Sequence, residues 1–335
     1  MGATIKDVAR AARVSPATVS RVINDSARVS EDTAIRVRDA IERLDYEIND
    51  PARTLRTKTS RLIGVIGARL KNPFLMQLLQ SAEKAARKEN FNLLLGDTGD
   101  SLDKKIDYLQ IMKQKNIDGI IVIGSNLEDD FLDRLQESEI PAVIASGQME
   151  GSSLPGVSID NEQAGAEVME YLLELGHRDI GIISGPQFDM MSSSKRLSGA
   201  LKALSAGGFD LSRENIHSGD YSFASGFRGA QYLLGENSSI TALFAFDDRM
   251  AVGAMRGVRA LGRNVPGDCA VVGFDNIEIS RYIHPALTTV HQPCNELGRT
   301  AMELLLKIIK GDIDPKGKNR ILEHELIIRD STAEL

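Results

Sequence analysis

The sequence predicts a small all-α helix-turn-helix head followed by an α/β core of two doubly wound lobes. Three observations carry that expectation. Residues 4–44 set apolar side chains at helical spacing between good caps. From Arg61 onward, short continuous apolar runs alternate with longer amphipathic segments, the pattern of parallel strands covered by helices on both faces. Seven such strand–helix units exceed one small lobe, and paired lobes leave a crevice at the strand carboxyl ends, where such sheets bind ligands.

The head reads as three short helices. Thr4 is placed to cap the first, with Asp7 at the capping-box position and Val8, Ala9 and Ala12 on its apolar face. Ser15 and Pro16 open the second as cap and first-turn residue, and Val19, Val22 and Ile23 form its inward stripe. Ser30 caps the third. Glu31 and Asp32 sit at the positive end of its dipole, and Ala34, Val37, Ile41 and Leu44 repeat on one face.

Residues 45–60, DYEINDPARTLRTKTS, lack a periodic core and read as a linker. Asp50 and Pro51 could open one short helix running from Ala52 to Arg56, too short to be stable in isolation.

Strands are predicted at 62–67, 91–96, 119–124, 141–146, 179–185, 242–246 and 270–274. The helices between and after them fall near 75–89, 103–115, 128–138, 162–175, 195–206, 223–235 and 249–261.

Composition narrows the function. The chain has 335 residues, with 42% hydrophobic and 26% charged, as in an ordinary globular protein that buries a core without staples. Cys269 and Cys294 lack metal or redox spacing and are expected to be reduced thiols. No apolar stretch is long enough to span a membrane, and the N-terminus has no signal-like apolar region, so a cytoplasmic location is expected. The formal net charge is −7, yet residues 1–61 hold twelve Lys/Arg against nine Asp/Glu. A weakly basic head on an acidic body suggests that only the head meets a polyanion.

The strongest motif is TIKDVARAARVSPATVSRVIND, residues 4–25: two helices joined by a tight turn, the second small and polar. Its second helix would enter the DNA major groove N-terminus first. Pro16, Ala17 and Arg21 would face the bases, Arg21 donating twice to guanine and the Ala17 methyl meeting thymine. Ser15, Thr18 and Asn24, together with Thr4, would contact phosphates and fix register.

Pocket candidates come from strand ends. Arg196 opens a helix after a long strand-end loop, Asp275 follows AVVGF, and Asp247 and Asp248 follow ALFAF. Carboxylates and a guanidinium at such positions suit vicinal hydroxyls, and Phe74 and Tyr221 could stack on an apolar ring face.

No enzyme constellation competes. The five histidines show no ligand spacing, and GxGxxG, P-loop and GxSxG motifs are missing, which weighs against an oxidoreductase. No cofactor or metal is expected. His177 in LGHRD is read as ending a helix, where an imidazolium favours the dipole. A sugar-binding protein without a DNA role is opposed by the intact helix-turn-helix.

TIKDVARAA, VSPATVSRVIN and ARTLRT in the head and hinge resemble the lactose/galactose repressor (LacI/GalR) family of transcription factors. SRLIGV, NPF, IDGIIVIG, SIDNEQAG, LGHRDIGIISG, VVGFDN and PALTTVHQP resemble its effector-binding core. The resemblance spans nearly the whole chain. It implies a homodimer on a near-palindromic operator, with a core like type I periplasmic sugar-binding proteins and three crossings between lobes, near 160, 290 and 320. The expected domains are a helix-turn-helix domain over 1–48, a hinge over 49–60 and an effector-binding and dimerisation core over 61–335. Lobe one would cover about 61–159 and 291–319, and lobe two about 160–290 and 320–330. The resemblance further implies that Leu55, with Ala52 and Arg53, enters the minor groove and kinks the duplex.

The expected function is a repressor whose operator binding is set by a small molecule, a sugar or sugar derivative, held by Phe74, Ser146, Arg196, Tyr221, Asp247 and Asp275. The family allows a phosphocarrier protein as co-effector, and nothing in the residues decides that. No leucine heptad tail follows HELIIRDSTAEL, so dimers rather than tetramers are expected. The chain departs from the family pattern at Arg13, where the turn usually has Gly or sometimes Asn, and at Ile48, where Pro is usual. It departs also at Ser146, often acidic in sugar-responsive members, and at Asp247, often Asn.

Overall fold

The computed structural model describes residues 3–24, 29–46, 59–67, 71–99, 101–124, 127–147, 154–187, 189, 191–315 and 318–335. The chain splits into two compact units, Met1–Ser60 and Arg61–Leu335. The expected hinge helix, with Ala52, Arg53 and Leu55, lies outside the described residues, as does Ile48.

The head is three helices, α1 (Ile5–Ala12), α2 (Pro16–Asn24) and α3 (Glu31–Arg43). Val8, Ala9, Ala12, Val19, Val37 and Ala40 form its buried core, with Val22, Ile23, Ile41 and Leu44 packed around it. Asp7 Oδ2 accepts the Thr4 N–H at 3.0 Å and the Thr4 hydroxyl at 2.6 Å, tying down the start of α1. Arg13 ends α1 in the left-handed region, φ 56° and ψ 46°, and its N–H returns to Arg10. A Cβ-bearing residue is strained there, by about 1–2 kcal/mol.

Two six-stranded sheets make the core. The first contains β1 (Leu62–Gly67), β2 (Asn92–Asp97), β3 (Gly119–Ile123), β4 (Ala142–Ala145), β5 (Gly156–Ile159) and β11 (Arg320–Leu322). Its order is β11-β5-β4-β3-β1-β2, parallel throughout. The second contains β6 (Ile180–Ser184), β7 (Ile216–Ser218), β8 (Ala242–Ala245), β9 (Ala270–Asp275), β10 (Thr288–His291) and β12 (Glu325–Ile327). Its order is β12-β10-β9-β8-β6-β7, with only β12 antiparallel. The central strands are fully buried because helices cover both faces, which is why they read as unbroken apolar runs.

The helices are α4 (Pro73–Lys88), α5 (Leu102–Gln114), α6 (Asp129–Glu137), α7 (Asn161–Glu174), α8 (Ser193–Ala206), α9 (Phe223–Glu236), α10 (Asp248–Ala260), α11 (Ile279–Tyr282) and α12 (Cys294–Ile309). The chain passes between the sheets after Ile159, between His291 and Cys294, and between Leu322 and Glu325. The third crossing therefore falls later than the expected boundary at 319–320. Arg320–Leu322 pairs with Val157–Ile159 and belongs to the first sheet. The end of lobe two also runs past 330, since Ser331 donates to the Val271 carbonyl of β9.

Helices α7 and α8 meet backbone to backbone. A Cβ on Gly165 would collide with the Arg196 main chain, and one on Gly199 with the Glu162 carbonyl. This close approach fixes how deep Arg196 sits. His177 follows α7, its N–H closing onto the Leu172 carbonyl at 3.1 Å. The expected imidazolium is not what the fold makes of it. His177 is buried, its Nδ1 meets the Thr241 hydroxyl at 3.0 Å, and burial depresses its pKa, so the ring is neutral at neutral pH.

Candidate functional site

In the head, α2 presents Pro16, Ala17 and Arg21 to solvent, with Ala17 and Arg21 one turn apart on the same face. Ser15 is exposed, and its Oγ accepts the Thr18 N–H at 3.1 Å and lies 2.9 Å from the Thr18 hydroxyl. Thr4 is exposed, its hydroxyl turned to Asp7. The Asn24 side chain lies outside the described residues. A small, exposed first turn capped by hydroxyl residues matches an element that lays its N-terminus in a groove.

In the core, a cleft opens where the carboxyl ends of the two sheets face each other, its empty space about 570 Å³ with the open solvent at its mouth included. All six expected pocket residues line it: Phe74, Ser146, Arg196, Tyr221, Asp247 and Asp275. Asn72, Leu75, Gly124, Asp189, Ser192, Phe246 and Gln292 complete the lining. Phe74 enters from the first turn of α4, where Asn72 accepts its N–H at 3.0 Å, and Ser146 follows β4. The remaining predicted residues stand on the second sheet's side.

Arg196 is buried and held from three directions. Its Nε donates to Asn161 Oδ1 at 2.9 Å, its Nη1 to the Phe246 carbonyl at 2.6 Å, and its guanidinium carbon lies 3.5 Å from the Phe274 ring centroid. A planar fork is needed for this; a lysine could not make these contacts together. Arg196 also lines the cleft. Asp275 Oδ1 accepts Gln292 Nε2 at 2.7 Å. Burial pushes the Asp275 carboxyl up to about 7, the Arg196 guanidinium opposing that rise and Asp247 adding to it. Asp248 turns inward instead. It accepts the Ile277 N–H at 2.8 Å and the Thr289 hydroxyl, and burial and Asp275 raise it well above the usual carboxylate range.

Sequence reasoning missed Asp189, Ser192 and Gln292. The Ser192 hydroxyl donates to Asp189 at 2.7 Å, and the Tyr221 hydroxyl donates to the same carboxylate. Asp189 sits in the loop GPQFDMMSSS after β6, and an acid in a strand-end loop was the available signal. Gln292 follows β10, whose TTVH has no apolar run to mark it as a strand.

A polar DNA-reading head joined to a two-sheet core with a ligand-sized cleft defines a DNA-binding regulator responsive to a small molecule. The comparisons agree. Residues 4–49 match the bacterial regulatory proteins of the lacI family, and residues 169–332 match a periplasmic binding protein-like domain. The chain is 36% identical over 333 residues to catabolite control protein A of Priestia megaterium, covering 99% of this chain and 100% of that protein. Among solved structures, the Lac repressor dimer bound to operator and the anti-inducer ONPF superposes with a TM-score of 0.88 at 28% identity, covering 99% and 100%. The transcriptional regulator CelR–cellobiose complex gives 0.76 at 30% identity, covering 98% and 99%. The chain belongs to the LacI family of bacterial regulatory proteins. It is a transcriptional regulator controlled by a small-molecule effector, and not an enzyme.

Proposed function

We propose that this chain is a repressor that binds a near-palindromic operator as a homodimer and changes its operator affinity when an uncharged sugar or sugar derivative enters the core cleft. The observation that carries this is the convergence of Arg196, Asp247, Asp275 and Tyr221 from one sheet with Phe74 and Ser146 from the other. Carboxylate acceptors beside a single lining guanidinium suit hydroxyl donors, and two aromatic side chains suit the apolar face of a sugar ring. Among the described lining, the first sheet's side of the cleft contributes no charged residue that would neutralise a phosphate ester. The cellobiose complex of CelR supports a sugar in a core of this fold.

In this reading, Pro16, Ala17 and Arg21 read bases, while Thr4, Ser15, Thr18 and Asn24 hold phosphates. Leu55, with Ala52 and Arg53, enters the minor groove. The regulator works in the cytoplasm, associated with the nucleoid when on its operator.

A thermal-shift screen of the full chain against neutral sugars, their phosphate esters and nucleobases tests the ligand class, because a ligand specific to the native state raises apparent stability. A neutral sugar should raise the melting temperature. A phosphate ester or a nucleobase doing so while no neutral sugar does would replace this reading.

A further inference from the structure

Asp247 carries a neighbour that the ligand reading does not use. Its Oδ1 accepts the Met250 N–H at 2.8 Å, capping α10, while its Oδ2 takes Arg249 Nε at 3.3 Å. The Arg249 side chain is only 11% exposed, and its Nη2 is buried with no hydrogen-bond partner among the described residues. A buried guanidinium left partly unsatisfied is costly. Among the described residues, the carboxylate it pairs with is the one lining the cleft.

The surroundings show what that contact does. Asp247, Asp248 and Asp275 are all buried at the adjoining ends of β8 and β9. Among the described residues three cations act on these carboxylates: Arg196 from α8, which opposes the rise of Asp275, Arg249 from α10 itself, which acts on Asp247 and Asp275, and Arg329, which interacts with Asp248. Asp248 is held by the neutral donors Ile277 N–H and Thr289 hydroxyl.

We infer that Arg249 is a positioning residue for the cleft: its guanidinium holds Asp247 Oδ2 and so fixes the carboxyl that lines the site beside Asp275. This rests on the cleft being the effector site. Burial raises the Asp247 carboxyl and Arg249 is the largest influence opposing that rise, in keeping with the geometry. Without Arg249, Asp247 would hold its proton to higher pH and become a neutral carboxyl, which donates as well as accepts.

The test needs neither effector nor DNA, so its failure is separable from failure of the functional reading. Melting temperatures of the full chain are measured from pH 5 to 8 for wild type, R249M, R249K and the double variant R249M/D247N. A carboxyl whose folded pKa lies above its unfolded value stabilises the fold at low pH, and that stability is lost as pH rises towards the folded pKa. R249M should therefore fall more steeply with pH than wild type. R249K, which keeps the charge, should stay closer to wild type, and D247N should remove the extra slope from R249M. Parallel curves for R249M and wild type, or an extra slope in R249M that D247N does not reduce, would overturn the assignment. Should R249M fold poorly, R249Q, which removes the charge and keeps a polar side chain, takes its place: its pH slope must exceed that of wild type and must fall when D247N is added, or the inference does not stand.

Discussion

Arg196 stacks on Phe274, its guanidinium carbon 3.5 Å from the ring centroid, and so stands beside Asp275, the next residue along β9. The stacking leaves the two edge nitrogens Nε and Nη1 to Asn161 and the Phe246 carbonyl. A flexible cation is thereby made a rigid wall of the cleft. Rigidity matters for a switch, because a ligand shifts a conformational equilibrium only by its difference in affinity for the two states.

Protonation of Asp275 links the cleft to pH. Its carboxyl lies at about 7 against an ordinary 3.8, because it is buried, with Arg196 opposing and Asp247 reinforcing the rise. The folded state therefore holds a proton that the unfolded chain releases. The stability this confers is full below about pH 4 and is lost as pH climbs through about 7. At 1.36 kcal/mol per pH unit the loss is at most ~4 kcal/mol. Asp275→Asn removes the linkage, so urea unfolding at pH 5 and pH 8 should show wild type weakening with rising pH and the variant weakening less. Equal pH dependence in both proteins would refute the shift.

Arg13 occupies a left-handed position that glycine adopts freely. Arg13→Gly relieves about 1–2 kcal/mol of strain, partly offset by the larger entropy of glycine in the unfolded chain. A net gain of roughly 0.5–1 kcal/mol follows, read as slower amide exchange at Val8 and Ala12 in the full chain. Faster exchange would show that the turn depends on the arginine side chain.

Arg21 is the long donor on the exposed first turns of α2. Arg21→Ala should weaken operator binding by ~1–3 kcal/mol and relax preference at one guanine per half-site. Titrations on the operator and on scrambled DNA at one salt concentration check this. A variant that keeps the wild-type ratio between the two would move base readout elsewhere.

Much of this was legible in the sequence, for reasons visible in particular elements. GIIVI and ALFA read as strands because they are buried on both faces, and the amphipathic segment near 162–175 read as a helix, which the structure starts at Asn161 with Asp160 as its cap. Sequence reading missed β5, β7, β10, β11, β12, α11 and α12. The strand β10 is Thr288–His291, whose threonines are buried by hydrogen bonding and not by hydrophobicity; Thr288 Oγ1 accepts the Arg329 N–H at 2.9 Å. The edge strands β11 and β12 are three residues each and half exposed. In the cleft, strand-end logic and family resemblance found the charged and aromatic residues. They missed Asp189 and Gln292, whose importance lies in partners distant in sequence, Tyr221 and Asp275.

The most direct measurement is a pair of operator titrations, with and without the ligand identified by thermal shift, on wild type and on Arg196→Ala. Removing Arg196 takes away a guanidinium that lines the cleft and leaves a ligand group that pairs with it unsatisfied, a loss of ~1–3 kcal/mol for the bound ligand. The account predicts that Arg196→Ala binds operator without ligand as wild type does and no longer responds to the ligand at the concentration that shifts wild type. A variant that still responds at that concentration would contradict the placement of the effector in this cleft.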